Sequence, residues 1–209
     1  DICDSFGKES QVCWRRGITI KRMIMAEERN TIYLCLAHMS EEGIEQKYVK
    51  EAFDTNWVVP MGPNVNAFEQ NLADFANSNS DGSKLDRKVV CLSAGTAAVH
   101  LALLACGVGP GDEVCVQSFT FCASSHPITY LGASPVFIDS EKETWNMDPA
   151  LLEKAIIERK EKTGKYPKAI VPVALYGMPY KVDEIMAIAD KYGIPVVEDA
   201  AEGMGSRFN

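Results

Sequence analysis

Ile194-Pro195-Val196-Val197-Glu198-Asp199-Ala200-Ala201-Glu202 is an apolar strand pattern that runs straight into a carboxylate. An acid delivered at the carboxyl end of a strand stands where open α/β sheets place their chemistry. Working back from this segment, strand and helix patterns alternate with short turns between them. Strands are expected at 88–92, 113–117, 135–138, 169–173 and 194–198, and helices at 95–106, 123–131, 149–162 and 182–192. Asp148 and Pro149 open the third of these helices as N-cap and first residue. The pattern predicts an α/β protein with a three-layer αβα arrangement: five strands in a mainly parallel sheet, with right-handed crossovers putting helices on both faces. The glycines of Gly107-Val108-Gly109-Pro110-Gly111 follow a helix and precede a strand, the reverse of a phosphate-loop order, and read as a helix stop.

Upstream the chain is less regular. Residues 42–52 and 64–76 have helical periods, separated by the Pro- and Gly-punctuated loop Asp54-Thr55-Asn56-Trp57-Val58-Val59-Pro60-Met61-Gly62-Pro63. Residues 77–86, rich in Ser, Asn and Asp, read as a solvated loop. The expected organisation is an extra upstream segment over 1–24, helices and a substrate-side loop over 25–86, and a large domain over 87–209.

The chain has 209 residues, 46% hydrophobic and 24% charged, with a formal net charge of -8. Acidity without clustered Lys and Arg excludes a nucleic-acid partner. No apolar run is long enough to cross a bilayer and no signal-peptide shape opens the chain, so a cytoplasmic protein is expected. The 7 cysteines form no CxxC pair and the 3 histidines show no ligand spacing, so no metal is expected.

Three pieces carry chemistry. In Val89-Val90-Cys91-Leu92-Ser93-Ala94-Gly95-Thr96-Ala97-Ala98 a strand passes through small residues into a helix start, whose free amides and dipole favour an anion such as phosphate. The same residues also suit a plain turn capped by Ser93 or Thr96. Gln117-Ser118-Phe119-Thr120-Phe121 puts aromatics at the next strand end, able to lie on a planar ring or simply to fill a core. Asp199 needs a cationic partner if poorly solvated; a protonated pyridine nitrogen or an ordinary ion pair would serve. Anion capture, a flat face and a carboxylate at three strand ends together describe a pocket for pyridoxal 5'-phosphate.

From about Ile32 onward the chain resembles the DegT/DnrJ/EryC1/StrS family of pyridoxal-phosphate-dependent sugar aminotransferases, of aminotransferase fold type I. The motifs are Ser93-Ala94-Gly95-Thr96-Ala97-Ala98, Ser118-Phe119-Thr120-Phe121, Pro135-Val136-Phe137-Ile138-Asp139, Leu175-Tyr176-Gly177 and Glu198-Asp199-Ala200-Ala201-Glu202, in this order. The resemblance implies that Gly95 and Thr96 hold the cofactor phosphate, Phe121 stacks on the ring, and Asp199 pairs with the ring nitrogen as the catalytic carboxylate. It places Glu202 near the ring hydroxyl, and Asn56, Trp57, Gly62 and Tyr176 on the substrate side. It further implies a homodimer that moves an amino group, with glutamate as donor, onto a nucleotide-linked keto-deoxysugar in polysaccharide or cell-surface sugar synthesis. The family's Schiff-base lysine matches no lysine in this chain, and Lys181 and Lys191 read as solvated helix charges. The expectation is an incomplete fold type I large domain, inactive alone. A dehydratase of the same fold with His for Lys, or a non-catalytic relative, stays open.

Overall fold

The computed structural model describes residues 39–78 and 86–207, so the expected upstream segment 1–24 lies outside the described residues. The chain divides into two compact units, Asp1–Asn64 and Val65–Asn209. In the first, helix α1 (Ile44–Asp54) is preceded by Gly43 at φ 63. Its entry is tied by Ser40, whose N–H and hydroxyl both donate to the Glu45 carboxylate while its Oγ accepts the Ile44 N–H. This satisfies a helix-start amide without a conventional cap. Helix α2 (Pro63–Asn77) begins on a proline, whose missing N–H costs nothing in the first turn.

The second unit, from Val65, holds all of α2 but its first two residues, followed by helix α3 (Gly95–Ala105), strand β1 (Glu113–Gln117), helix α4 (His126–Tyr130), strand β2 (Ser134–Ile138), helix α5 (Pro149–Thr163), strand β3 (Ala169–Val171) and helix α6 (Val182–Tyr192). The strand order is β2-β1-β3, all parallel, with Val114 opposite Pro135 and Ala169. Strand alternation sorts the core into two layers. Val114, Val116, Ala169, Val171 and Val197 pack with Val99 and Leu103 of α3 and Ile128 of α4. Cys115, Ile138 and Ile170 pack with Leu152 and Ile156 of α5 and Ile185 and Ala189 of α6. The Cys115 thiol is pushed up to about 12, first by burial and then by the Glu113 charge, and is an inert core group.

Local chemistry sets the ends. Asp148 Oδ1 accepts the amides of Ala150 (2.8 Å) and Leu151 (3.1 Å), and Gly164 closes α5 at φ 76, as expected of a capped helix. Arg159 Nε reaches from α5 to Glu113 Oε2 at 2.8 Å, with a second contact from its Nη2, which binds the helix to β1.

Three expectations are corrected. Residues 88–92 form no buried strand: Val90 is 69% exposed, and the main chain is held by side chains of α2. Asn77 pairs with the N–H and carbonyl of Arg87, and Glu69 Oε1 accepts the Cys91 N–H at 2.8 Å. A strand needs a neighbouring ladder, and these side chains take its place. The helix expected over 123–131 is a 3-10 turn (Cys122–Ser124) followed by α4, because Pro127 cannot donate to the turn before it. The last strand is reduced to two parallel bridges, Ile170 with Val196 and Val173 with Asp199. Pro172 and Pro195 lack the donors that a continuous ladder requires.

Candidate functional site

A cavity of about 410 Å³ opens at the carboxyl ends of β1, β3 and the bridged segment after α6, lined in part by Gly95, Phe119, Thr120, Phe121, Tyr176, Asp199 and Glu202. All of these lie in the second unit. This is the sheet edge expected to carry chemistry. A larger shallow groove of about 550 Å³ lies between α2 and residues 86–89, where Asn77 is already committed to the Arg87 main chain.

Asp199 is fixed from several directions. Its N–H donates to Pro172 O (3.0 Å) and its carbonyl accepts the Ala174 N–H (3.1 Å), so the main chain is locked to the segment after β3. Its side-chain Oδ2 accepts the Ser124 hydroxyl at 2.6 Å, and Ser124 Oγ lies 2.9 Å from Thr120 Oγ1. Among the described residues Oδ1 has only the Ala201 N–H, at 3.3 Å. Ser124 is fully buried, and the sequence reading passed over it, since a serine in a helical stretch carries no pattern of its own.

Gln117 and Asn146, both fully buried, were also missed as a pair. Gln117 Nε2 donates to Phe119 O (2.8 Å) and Asn146 Oδ1 (3.0 Å), while its Oε1 accepts the Met147 N–H (2.9 Å) and the Val173 N–H (3.4 Å). Asn146 Nδ2 donates to Met178 O at 2.8 Å, and its Oδ1 accepts the Leu175 N–H at 3.3 Å. The signal was available: a polar residue closing an apolar strand has to find buried partners.

The network brackets Tyr176, which sits at φ 55 and gives its N–H to Glu202 Oε2 at 2.5 Å. Phe119 lies edge-on to Tyr176 and to Trp145, each with ring centroids 6.5 Å away. Phe121 is 74% exposed at the cavity.

Of the site residues expected from sequence, Gly95, Phe121, Tyr176, Asp199 and Glu202 meet at this cavity, and Thr96 stands in the first turn of α3. The N-cap of α3 is Ala94, without a side-chain hydrogen bond, so the alternative of a turn capped by Ser93 or Thr96 is not what forms and the helix start is open. Asn56, Trp57 and Gly62 belong to the first unit, where a Cβ on Gly62 would come 3.1 Å from the Trp57 ring. Lys181 contacts Glu143 at 3.0 Å, and Lys191 contacts Glu153 at 2.7 Å, so both helix lysines have ion-pair partners. No group of His, Cys, Asp and Glu among the described residues could hold a metal.

An uncapped helix start suits an anion, a fixed carboxylate suits a cation, and an exposed aromatic suits a planar ring. The fold is that of the large domain of fold type I pyridoxal-phosphate enzymes, here an incomplete αβα domain. A profile of the DegT/DnrJ/EryC1/StrS aminotransferase family matches residues 39–209, and the chain belongs to this family. It is similar to EpsN of Bacillus subtilis, assigned as a pyridoxal phosphate-dependent aminotransferase, at 49% identity over 177 residues, 85% of this chain and 43% of that protein. It is also 45% identical over 150 residues to the UDP-2-acetamido-2-deoxy-3-oxo-D-glucuronate aminotransferase of Pseudomonas aeruginosa, covering 71% of this chain and 37% of that protein. Among solved structures it matches NtdA of Bacillus subtilis with the cofactor PMP bound, at TM-score 0.68 and 31% identity, covering 80% of this chain and 35% of that one. The chain thus spans under half the length of these curated relatives. The cofactor indicated by the family is pyridoxal phosphate. No helix among the described residues is long and apolar enough to cross a membrane.

Proposed function

We propose that this chain provides the cofactor pocket of an aminotransferase that converts a keto group on a nucleotide-linked sugar to an amine, with glutamate as the donor. The observation that carries the reading is Asp199, held by Ser124 through one carboxylate oxygen and facing a cavity that also receives Gly95 and Phe121. These residues fit pyridoxal phosphate. The open start of α3 would offer the amides of Gly95 and Thr96 to the phosphate, Phe121 would lie against the ring, and Asp199 would hold a proton on the ring nitrogen. When bound, pyridoxal phosphate supplies the electron sink that amino-group exchange requires.

Glu202, tied to the Tyr176 main chain, stands toward the ring hydroxyl in this reading, with Tyr176 on the substrate side. Asn56, Trp57 and Gly62 serve the sugar nucleotide, and the working protein is a cytoplasmic homodimer. Similarity to an aminotransferase named for a UDP-linked 3-oxo sugar supports the substrate class. None of the described residues that line the cavity is a lysine.

The test uses the full-length protein loaded with pyridoxal phosphate and glutamate, offered UDP- and GDP-linked keto sugars, with 2-oxoglutarate release as readout. Turnover that falls about 100-fold or more in Asp199→Ala supports the assignment. Normal turnover by that variant refutes it.

A further inference from the structure

We infer that Ser124 is a positioning residue that presents the Asp199 carboxylate to the cofactor, with Thr120 setting the direction of its hydrogen bond. This rests on the reading of the pocket given above. An ionised carboxylate only accepts, so the single Ser124 proton is committed to Asp199 Oδ2 at 2.6 Å. The 2.9 Å contact between Thr120 and Ser124 then has one possible direction, with Thr120 donating to Ser124 Oγ. The chain of donors runs from the rim of the cavity, which Thr120 lines, to a fully buried hydroxyl and on to the carboxylate.

The consequence concerns the other oxygen. Oδ2 is occupied, whereas among the described residues Oδ1 has only the 3.3 Å contact from Ala201 and keeps capacity for a cationic partner. A carboxylate free to rotate would spend part of its time with neither oxygen aligned, and ordering it would then be charged against binding. Ser124 comes from the turn after β1 and Asp199 from the segment after α6, so a single hydrogen bond also joins two of the elements that wall the cavity.

The experiment compares full-length wild type, Ser124→Ala, Ser124→Thr and Thr120→Val. It measures the pyridoxal phosphate dissociation constant, the visible circular dichroism per bound cofactor, and the unfolding midpoint of each apoprotein. A hydrogen bond to a charged group lost in Ser124→Ala corresponds to about 10-fold weaker cofactor binding. The visible dichroism should fall as well, because the ring is held less asymmetrically, while the apoprotein unfolds close to wild type. Ser124→Thr, which keeps the hydroxyl, should restore both signals, and Thr120→Val should move them in the same direction by less. Wild-type affinity and dichroism in Ser124→Ala would overturn the inference, as would a loss that only follows a fall in apoprotein stability and is not rescued by Thr. If Ser124→Ala does not fold, Thr120→Val decides: an unchanged affinity and dichroism there overturns it. Wild-type protein that binds no pyridoxal phosphate would overturn the pocket reading itself, whereas wild type that binds beside an unaffected Ser124→Ala overturns only the role of Ser124.

Discussion

Replacing Gln117 with Leu removes the residue that joins three elements of the cavity wall. The side chain is fully buried, so the groups it leaves behind cannot turn to bulk water. The Met147 N–H, 2.9 Å from Gln117 Oε1, loses its acceptor, at about 1–3 kcal/mol for an orphaned buried donor. The Val173 contact is long, at 3.4 Å, and adds at most about 1 kcal/mol. The carbonyl of Phe119 is on a half-exposed residue and can be hydrated, and Asn146 Oδ1 keeps the Leu175 N–H. The expected loss is therefore about 3 kcal/mol, at the upper end of ordinary single substitutions. In urea, with a slope of about 2 kcal/mol/M, the midpoint of the full-length protein should fall by about 1.5 M. Amide exchange in peptides covering Met147 and Val173 should accelerate more than in α5, because the damage begins at the network. A double-mutant cycle with Asn146→Ala should show coupling of about 1 kcal/mol or more, the two residues sharing a bond. An unmoved midpoint with unchanged exchange at Met147 would refute the view that this network holds the wall together.

Asp148→Ala should cost about 1 kcal/mol in chemical denaturation by leaving the first amides of α5 without an acceptor, and Asp148→Ser should recover most of it. Gly203→Ala would place a methyl 2.9 Å from Ala174 Cβ, so a lowered thermal midpoint of a few degrees is expected in calorimetry. Glu141 supplies a pH signature. Burial pushes its carboxyl up, but the Thr144 hydroxyl and the amides of Glu143 and Thr144 hold it below the ordinary carboxylate value of 4.5 on balance. A lowered native value means that its contribution is fully present above about pH 5 and lost as pH falls through the native value. Urea titrations from pH 7 to 3 should thus show the stability gap between wild type and Glu141→Gln narrowing only below the ordinary value.

The elements legible in the sequence are those whose signals are local. The apolar run of β1, the Asp148-Pro149 start of α5 and the acid-led period of α6 were read to within a residue or two, because period and cap need no partner. Residues 88–92 have the same apolar signature, yet Glu69 of α2 binds the Cys91 main chain and Asn77 that of Arg87 just before them, and nothing in Val89-Val90-Cys91-Leu92 announces a helix side chain as partner. At the cavity, Gly95, Phe121 and Asp199 were legible because each ends or begins an element and has a distinct chemistry. Ser124, Gln117 and Asn146 were not, since their importance lies in which distant group each one reaches: the Ser124–Asp199 bond spans 75 residues and the Gln117–Asn146 bond 29.

These hidden residues also explain why a cavity lies at this edge of the sheet. The β1–β3 pairing runs from Val114–Ala169 to Val116–Val171 and stops. Pro172 follows, with no N–H, and its carbonyl is given to Asp199 on the other side. Toward β1 main-chain partners then give way to side chains: Gln117 takes the amides of Met147 and Val173, and Asn146 takes the Leu175 N–H and the Met178 carbonyl, while Ser124 reaches the Asp199 side chain. A ladder holds neighbouring strands about 4.8 Å apart and leaves no room between them. Side-chain bridges satisfy the same groups at a greater reach, so the wall can open without leaving buried amides unpaired. The cost of a concave site in a parallel sheet is met by Gln117 and Asn146, which is why the substitutions that test the pocket most sharply lie behind its lining as well as in it.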